Sequence, residues 1–205
     1  RQEMLRLARR VKAMFVDILP AMLKGTRSEL DAVAVRDDEV DFLHGEIVAY
    51  LGRVSHEPLT EDQTTDLVHL LEIAGDLENI GDVIETNLVS LGRQRLERGV
   101  VVSPQTQEIL ESFHAEILHA LDAAELAVTQ GNVDAAEVVR GMKREINRMA
   151  DAAALHGVDR LVADEPHRLA AYALERDMLE NLKRVYYFAK RMARVIVSRE
   201  GRSRS

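Results

Sequence analysis

Cysteine is absent from this chain of 205 residues. Disulfides, thiolate metal ligands and thiol nucleophiles are therefore excluded, and any bound metal must be held by oxygen or imidazole ligands. The sequence also lacks a run of about 18 apolar residues and a signal-peptide pattern. A chain without these features is expected to be cytoplasmic.

The composition is typical of a folded protein, with 46% hydrophobic and 30% charged residues. The net charge of -8 argues against non-specific binding to nucleic acid, which needs basic residues to neutralise phosphates. A short basic tail is expected to be disordered; it contains Arg194, Arg199, Arg202 and Arg204. Helical spacing from Met4 onward, behind an initial Arg1, favours a piece of a longer protein.

Proline and glycine are scarce, with four and eleven residues, and they fall where helices are expected to begin or end. Gly25 and Gly131 are candidate C-terminal caps. Thr60 starts a capping box, and Ser103 and Asn132 are candidate N-terminal caps. Six long helices are predicted, over 1–24, 28–57, 60–98, 103–130, 132–165 and 166–198.

An internal repeat relates the two halves of the chain. Aligning 179–182 (LENL) with 77–80 (LENI) places the sixth helix on the third, and aligning 145–146 (EI) with 39–40 (EV) places the fifth on the second. The sequence therefore predicts an all-α protein of two tandem three-helix bundles, 1–99 and 100–205.

Acidic residues follow one flank of the apolar seam on two neighbouring helices. Asp37 and Asp41 lie one turn apart on the second helix, and Glu78 and Asp82 lie one turn apart on the third. If these helices pack antiparallel, the two acidic edges meet and repel each other, and a bound cation would remove the repulsion. Oxygen donors suit Mg²⁺, Mn²⁺, Ca²⁺ or iron, and Zn²⁺ less readily.

Weaker candidates and one alternative accompany this site. Asp38 and Glu85 are possible further ligands, and Gly75 and Gly81 would let another helix or a cluster approach the backbone. His44, one turn after Asp41, is a possible ligand with a surface role as the alternative. The whole set can instead be an ordinary solvated acidic face.

The second half has a different charge at the aligned positions. Asp37, Asp41, Glu78 and Asp82 align with Lys143, Asn147, Glu180 and Arg184, so the formal charge changes from -4 to +1. We expect Glu180 to pair with Lys143 or Arg184 and the second half to bind no metal.

The strings DDEVDFL (37–43) and DLENIGD (76–82) resemble the paired acidic motifs of PhoU-like domains. The resemblance implies a six-helix fold without enzymatic activity, a multinuclear iron or zinc cluster held by Asp37, Asp41, Glu78 and Asp82, and regulation of phosphate uptake. The stretch 51–71 is most similar to the C-terminal PhoU-like domain of bacterial sodium/phosphate cotransporters. This similarity implies a transporter membrane domain as partner, at the inner face of the membrane. A stand-alone PhoU-type regulator is the alternative.

Other functions fit the sequence less well. Two Glu-x-x-His elements, ending at His114 and His119, resemble those of di-iron bundles, but both lie on one helix about 140° apart and cannot serve one site. Both histidines are expected to be packing residues.

The run 186–188 (YYF) is expected to be core with one exposed ring, with a docking patch as the alternative. A metal-free scaffold and a homodimer remain open.

Overall fold

The computed structural model describes residues 2–161 and 168–203. Within these residues the regular structure is entirely helical, with nine α-helices and one short π-helical segment, Val83–Leu88, between α4 and α5. The α-helices are α1 (Gln2–Lys24), α2 (Arg27–Ala34), α3 (Asp37–Val54), α4 (Glu61–Asp82), α5 (Val89–Glu97), α6 (Pro104–Gln130), α7 (Val133–Gly141), α8 (Lys143–Leu161) and α9 (Arg168–Ser203).

Six long helical units account for these elements, so the predicted fold class is confirmed. The second predicted helix is divided into α2 and α3, the third contains the π-helical segment, and the fifth is divided into α7 and α8. The two divisions fall at Arg36 and Met142, which are equivalent positions in the repeat alignment. α9 continues to Ser203, through most of the basic tail.

Local capping signals place the helix ends. The Thr60 side chain accepts a hydrogen bond from the backbone of Gln63, and the Gln63 side chain accepts one from the backbone of Thr60. Ser103 caps α6 with Pro104 as the first helical residue, and Gly131 ends α6 with a φ of 66°. These observed caps agree with the caps predicted from the sequence, because each cap depends on contacts over only a few residues.

The helices form two bundles that share one apolar core. In the first bundle α1 packs against α3, α4 and α5, and in the second α6, α7 and α8 pack against α9. The bundles meet where α4 contacts α9 and α1 contacts α6. The apolar seams predicted for α3 and α4 line this core from Val40 to Leu51 and from Ile73 to Ile80. No helix in the described part of the chain is long and apolar enough to cross a membrane.

Candidate metal centre

The acidic edges of α3 and α4 converge in the structure. α3 begins at Asp37 and α4 ends at Asp82, and the two helices pack together. The charges of Asp41, Glu78, Asp82 and Glu85 each raise the pKa of Asp37. Five carboxylates from α3, α4 and the π-helical segment therefore share one electrostatic environment, and the predicted meeting of the two edges is correct.

Asp37 is the buried member of this group, with only 7% of its surface exposed. Burial, followed by repulsion from Asp41 and Asp82, raises the pKa of its carboxyl group from 3.8 to about 7. Its Oδ1 atom is buried and has no hydrogen-bond partner. A buried carboxylate oxygen without a donor is costly, so this atom is a candidate ligand for a cation.

Gly81 of α4 makes the burial of Asp37 possible. A Cβ atom built on Gly81 would lie 2.5 Å from Asp37 Oδ1 and 3.1 Å from Val40 Cγ1. The prediction that glycine allows a close approach is therefore correct at Gly81. At Gly75 no other helix makes such an approach, because an added Cβ would meet no atom within 4 Å beyond the local helix backbone. The approach of a cluster at Gly75 stays a prediction.

Glu78 and His44 lie at the other side of the group. Burial raises the pKa of Glu78, and the charges of Asp82 and Asp41 raise it further, whereas His44 lowers it. His44 is half-buried. The imidazole is thus near enough to Glu78 to affect its pKa, and its role as a further ligand stays a prediction.

The two weaker candidates differ in the structure. Glu85 lies in the π-helical segment, is half-buried, and contributes to the raised pKa of Asp37. Asp38 is exposed and is not among the acids that raise the pKa of Asp37. π-Helical turns inside α-helices occur frequently at functional sites, and this one follows Asp82 directly.

The donor set suits a cation, although the side chains do not stand in coordinating positions. Within residues 2–161 and 168–203, no three carboxylate or imidazole groups are arranged as ready ligands of one ion. The orphaned Asp37 oxygen and the mutual repulsion of the neighbouring acids nevertheless fit an oxygen-ligated metal. Asp41 and Asp82 are exposed.

Asp76, although part of the same acidic stretch, belongs to a different contact. Its carboxylate is 1% exposed and lies 3.2 Å from Arg191 of α9. Burial raises the pKa of Asp76 to about 6, partly offset by Arg191. The ion pair joins the two bundles, and sequence reasoning missed it because it depends on packing between distant helices.

The aligned positions of the second half do not pair as predicted. Glu180 and Lys143 are exposed, and no ion pair links Glu180 to Lys143 or Arg184 in the described residues. Arg184 Nη1 instead donates a hydrogen bond to Asn181 Oδ1 at 3.2 Å. The expectation of internal charge pairing was therefore wrong, and Arg184 is bonded to a neighbour on its own helix instead.

The histidines of α6 occupy different environments. His114 is buried, stacks on Phe15 with ring centroids 4.3 Å apart, and makes a hydrogen bond of 2.7 Å with the Phe15 carbonyl oxygen. His119 is exposed, so its predicted packing role was wrong.

The aromatic run on α9 behaves as expected. Tyr186 and Phe188 are buried and Tyr187 is 57% exposed, which confirms the prediction of core residues with one exposed ring.

Comparison with known proteins gives matches of three kinds. Residues 4–87 match the family model of the PhoU domain. A putative inorganic phosphate export protein, YjbB, of Salmonella typhimurium is 23% identical over 184 residues, which are 90% of this chain and 34% of that protein. The chain thus spans about a third of the length of this relative.

Crystal structures of PhoU proteins have the same fold. PhoU from Pseudomonas aeruginosa superposes with a TM-score of 0.89 at 18% identity, over 98% of this chain and 95% of that one. The phosphate transport system regulatory protein PhoU from Streptococcus pneumoniae gives 0.84 at 15% identity, over 97% and 92%. The chain therefore has the fold of these PhoU structures, and its residues 4–87, which contain the acidic group of α3 and α4, match the PhoU domain.

Proposed function

We propose that the chain is a PhoU-type regulator of phosphate transport that binds a metal at the carboxylates of α3 and α4. The match to the PhoU domain over residues 4–87 supports this assignment, because those residues include both acidic edges. The likeness to a phosphate export protein and the shared fold of the PhoU structures support a role in phosphate transport. The proposed role is regulatory rather than enzymatic.

The buried, unpartnered Oδ1 of Asp37 is the observation that carries the metal site. Asp37, Asp41, Glu78 and Asp82 would hold the metal, with Glu85 and His44 as further ligands. A bound cation would supply the positive charge that these acids lack and hold α3 against α4. Iron or zinc in a multinuclear cluster is the form proposed from the resemblance, and Mg²⁺ or Mn²⁺ also suit the oxygen donors.

The site has a structural connection to the second bundle through α4. α4 carries Glu78 and Asp82 toward α3 and Asp76 toward Arg191 of α9. A cation that holds α4 against α3 would therefore also affect the contact between α4 and α9, which joins the bundles. The proposed partner is phosphate transport machinery at the inner face of the membrane.

Two versions of this role differ in how the regulator reaches the transporter. The coverage of PhoU structures from end to end favours a stand-alone regulator. The match to about a third of a phosphate export protein favours a unit attached to a membrane transporter, such as the sodium/phosphate cotransporter domain suggested by the resemblance. Sequencing the gene region upstream of Arg1 distinguishes them, because only an attached unit follows a multispanning hydrophobic segment.

Elemental analysis of the purified chain tests the metal site. The Asp41→Asn/Asp82→Asn variant removes two exposed carboxylates, and Asp38→Asn/Asp134→Asn is a matched control with the same change of charge at exposed acids. We expect stoichiometric metal in the wild-type chain and in the control, and loss of most of it in the first variant. Equal metal content in all three proteins, or no metal in the wild-type chain after growth in metal-replete medium, would contradict the proposal.

A further inference from the structure

A group of basic side chains meets where α7, α8 and α9 come together. We call it the basic junction: Arg140, Lys143, Lys190 and Arg194. The Tyr186 hydroxyl donates a hydrogen bond of 2.9 Å to the Val139 carbonyl oxygen and fixes α9 against the end of α7. Arg140 follows Val139 directly, and Lys190 lies one turn after Tyr186, so this contact sets their side chains near each other.

The other two cations extend the same surface. Arg194 lies one turn beyond Lys190 on α9, and Lys143 is the first residue of α8, which packs on α9. Lys143 and Arg194 are exposed and Lys190 is half-buried. The basic junction therefore brings cations from three helices together at the protein surface.

The positive charge of the basic junction is largely uncompensated. Arg140 forms an ion pair of 2.5 Å with Glu137, whereas Lys143, Lys190 and Arg194 form no ion pair within the described residues. Burial lowers the pKa of Lys190, and the charges of Lys143, Arg194 and Arg140 lower it further. Three free cations in a chain with a net charge of -8 form a local field opposite in sign to that of the whole protein.

The repeat alignment relates one residue of the basic junction to the metal centre. Lys143 and Asp37 occupy equivalent positions, each as the first residue of the helix after the break in its half. An acid at a helix N-terminus is stabilised by the helix dipole, whereas a cation there is disfavoured. Lys143 therefore replaces the acid of the first half with a cation at this place, and the other three cations of the basic junction come from outside the aligned positions.

We propose that the basic junction binds a phosphate group, either as inorganic phosphate or as the headgroup of an anionic phospholipid. A phosphate group carries one to two negative charges and several acceptor oxygens, so it can satisfy lysine and arginine donors from three helices at once. The acidic remainder of the surface disfavours a long polyanion such as nucleic acid. This site lies outside the metal centre and does not require it.

Two binding assays with the full chain at 0.1 M salt test the proposal. Calorimetric titration with inorganic phosphate detects the free anion. Cosedimentation with vesicles of equal parts phosphatidylglycerol and phosphatidylcholine, compared with pure phosphatidylcholine, detects the headgroup. The test variant is Lys143→Gln/Lys190→Gln. The control is Lys24→Gln/Arg27→Gln, which removes two exposed cations that pair with Glu111 and Glu97 in the structure.

We expect binding in at least one assay, and the assay that responds identifies the source of the phosphate group. In the vesicle assay the test variant should bind about 30-fold more weakly, since each basic residue near an anionic membrane surface changes affinity about fivefold. In the phosphate titration it should also bind more weakly than the wild-type chain. The control should bind as the wild-type chain does. Absence of binding in both assays, equal binding by the test variant, or an equal loss in the control would overturn the proposal. Arg194→Gln, at an exposed position, provides a second variant if the double substitution unfolds the chain.

Discussion

Removing the charge of Asp37 should change how the stability of the metal-free protein depends on pH. The pKa of this carboxyl group is about 7 in the folded chain, compared with an ordinary value of 3.8. The folded state therefore holds a proton between these values that the unfolded state has released. Stability from this group is present at low pH and is lost as the pH rises from about 4 through about 7.

The size of the effect follows from the shift in pKa. Each pH unit between the two pKa values costs about 1.4 kcal/mol, so the wild-type chain should lose up to about 2.5 kcal/mol between pH 5 and pH 8 through Asp37. Asp37→Asn keeps the shape of the side chain and removes its titration. The variant should therefore be the more stable protein at pH 8, with a smaller advantage at pH 5.

Urea denaturation with a chelator present, at four pH values from 5 to 8, measures this difference. Asp38→Asn is the matched control, because Asp38 is the exposed neighbour on the same helix. The difference in the free energy of unfolding between wild type and Asp37→Asn (wild type minus variant) should fall as the pH rises. The same difference between wild type and Asp38→Asn should stay constant. Parallel pH curves for wild type and Asp37→Asn would refute the view that repulsion and burial strain this carboxylate.

Three further substitutions test the surroundings of α4. Gly81→Ala should displace the Asp37 carboxylate, cost about 1–3 kcal/mol of stability and weaken metal binding, whereas Gly75→Ala should stabilise the chain by about 0.5–1 kcal/mol. Urea denaturation and metal titration measure these effects. Equal effects of the two substitutions would contradict the assigned role of Gly81. Arg191→Met leaves the buried Asp76 carboxylate without its partner, so it should destabilise the chain by about 1–3 kcal/mol at pH 8 and by less at pH 5; a loss that does not depend on pH would contradict the assigned role of the pair.

The helices and their caps could be predicted because their signals are local. Thr60, Ser103 and Gly131 act on backbone groups within a few residues, and the apolar seams repeat at helical spacing. The breaks at Arg36 and Met142 could not be predicted, since both residues keep right-handed helical backbone angles and neither is a glycine or proline. The π-helical segment likewise has no distinctive residue.

The candidate site could be predicted only in part. The spacing of Asp37, Asp41, Glu78 and Asp82 was enough to place them on facing edges. The burial of Asp37 depends on the absence of a side chain at Gly81 on a different helix, and this contact is set by tertiary packing.

The basic junction was not foreseen for the same reason. Of its four cations only Lys143 stands at a position aligned with the acidic motif. The others reach it from α7 and α9, which the repeat alignment alone does not place side by side.

The most direct test of the metal site between α3 and α4 is an anomalous difference map from a crystal of the chain grown with its metal. We predict strong anomalous peaks between α3 and α4, with carboxylate oxygens of Asp37, Asp41, Glu78 and Asp82 at ligand distance, roughly 2.0–2.2 Å for zinc. A map without a peak at this place, or with the metal bound elsewhere while these four carboxylates face solvent, would contradict it.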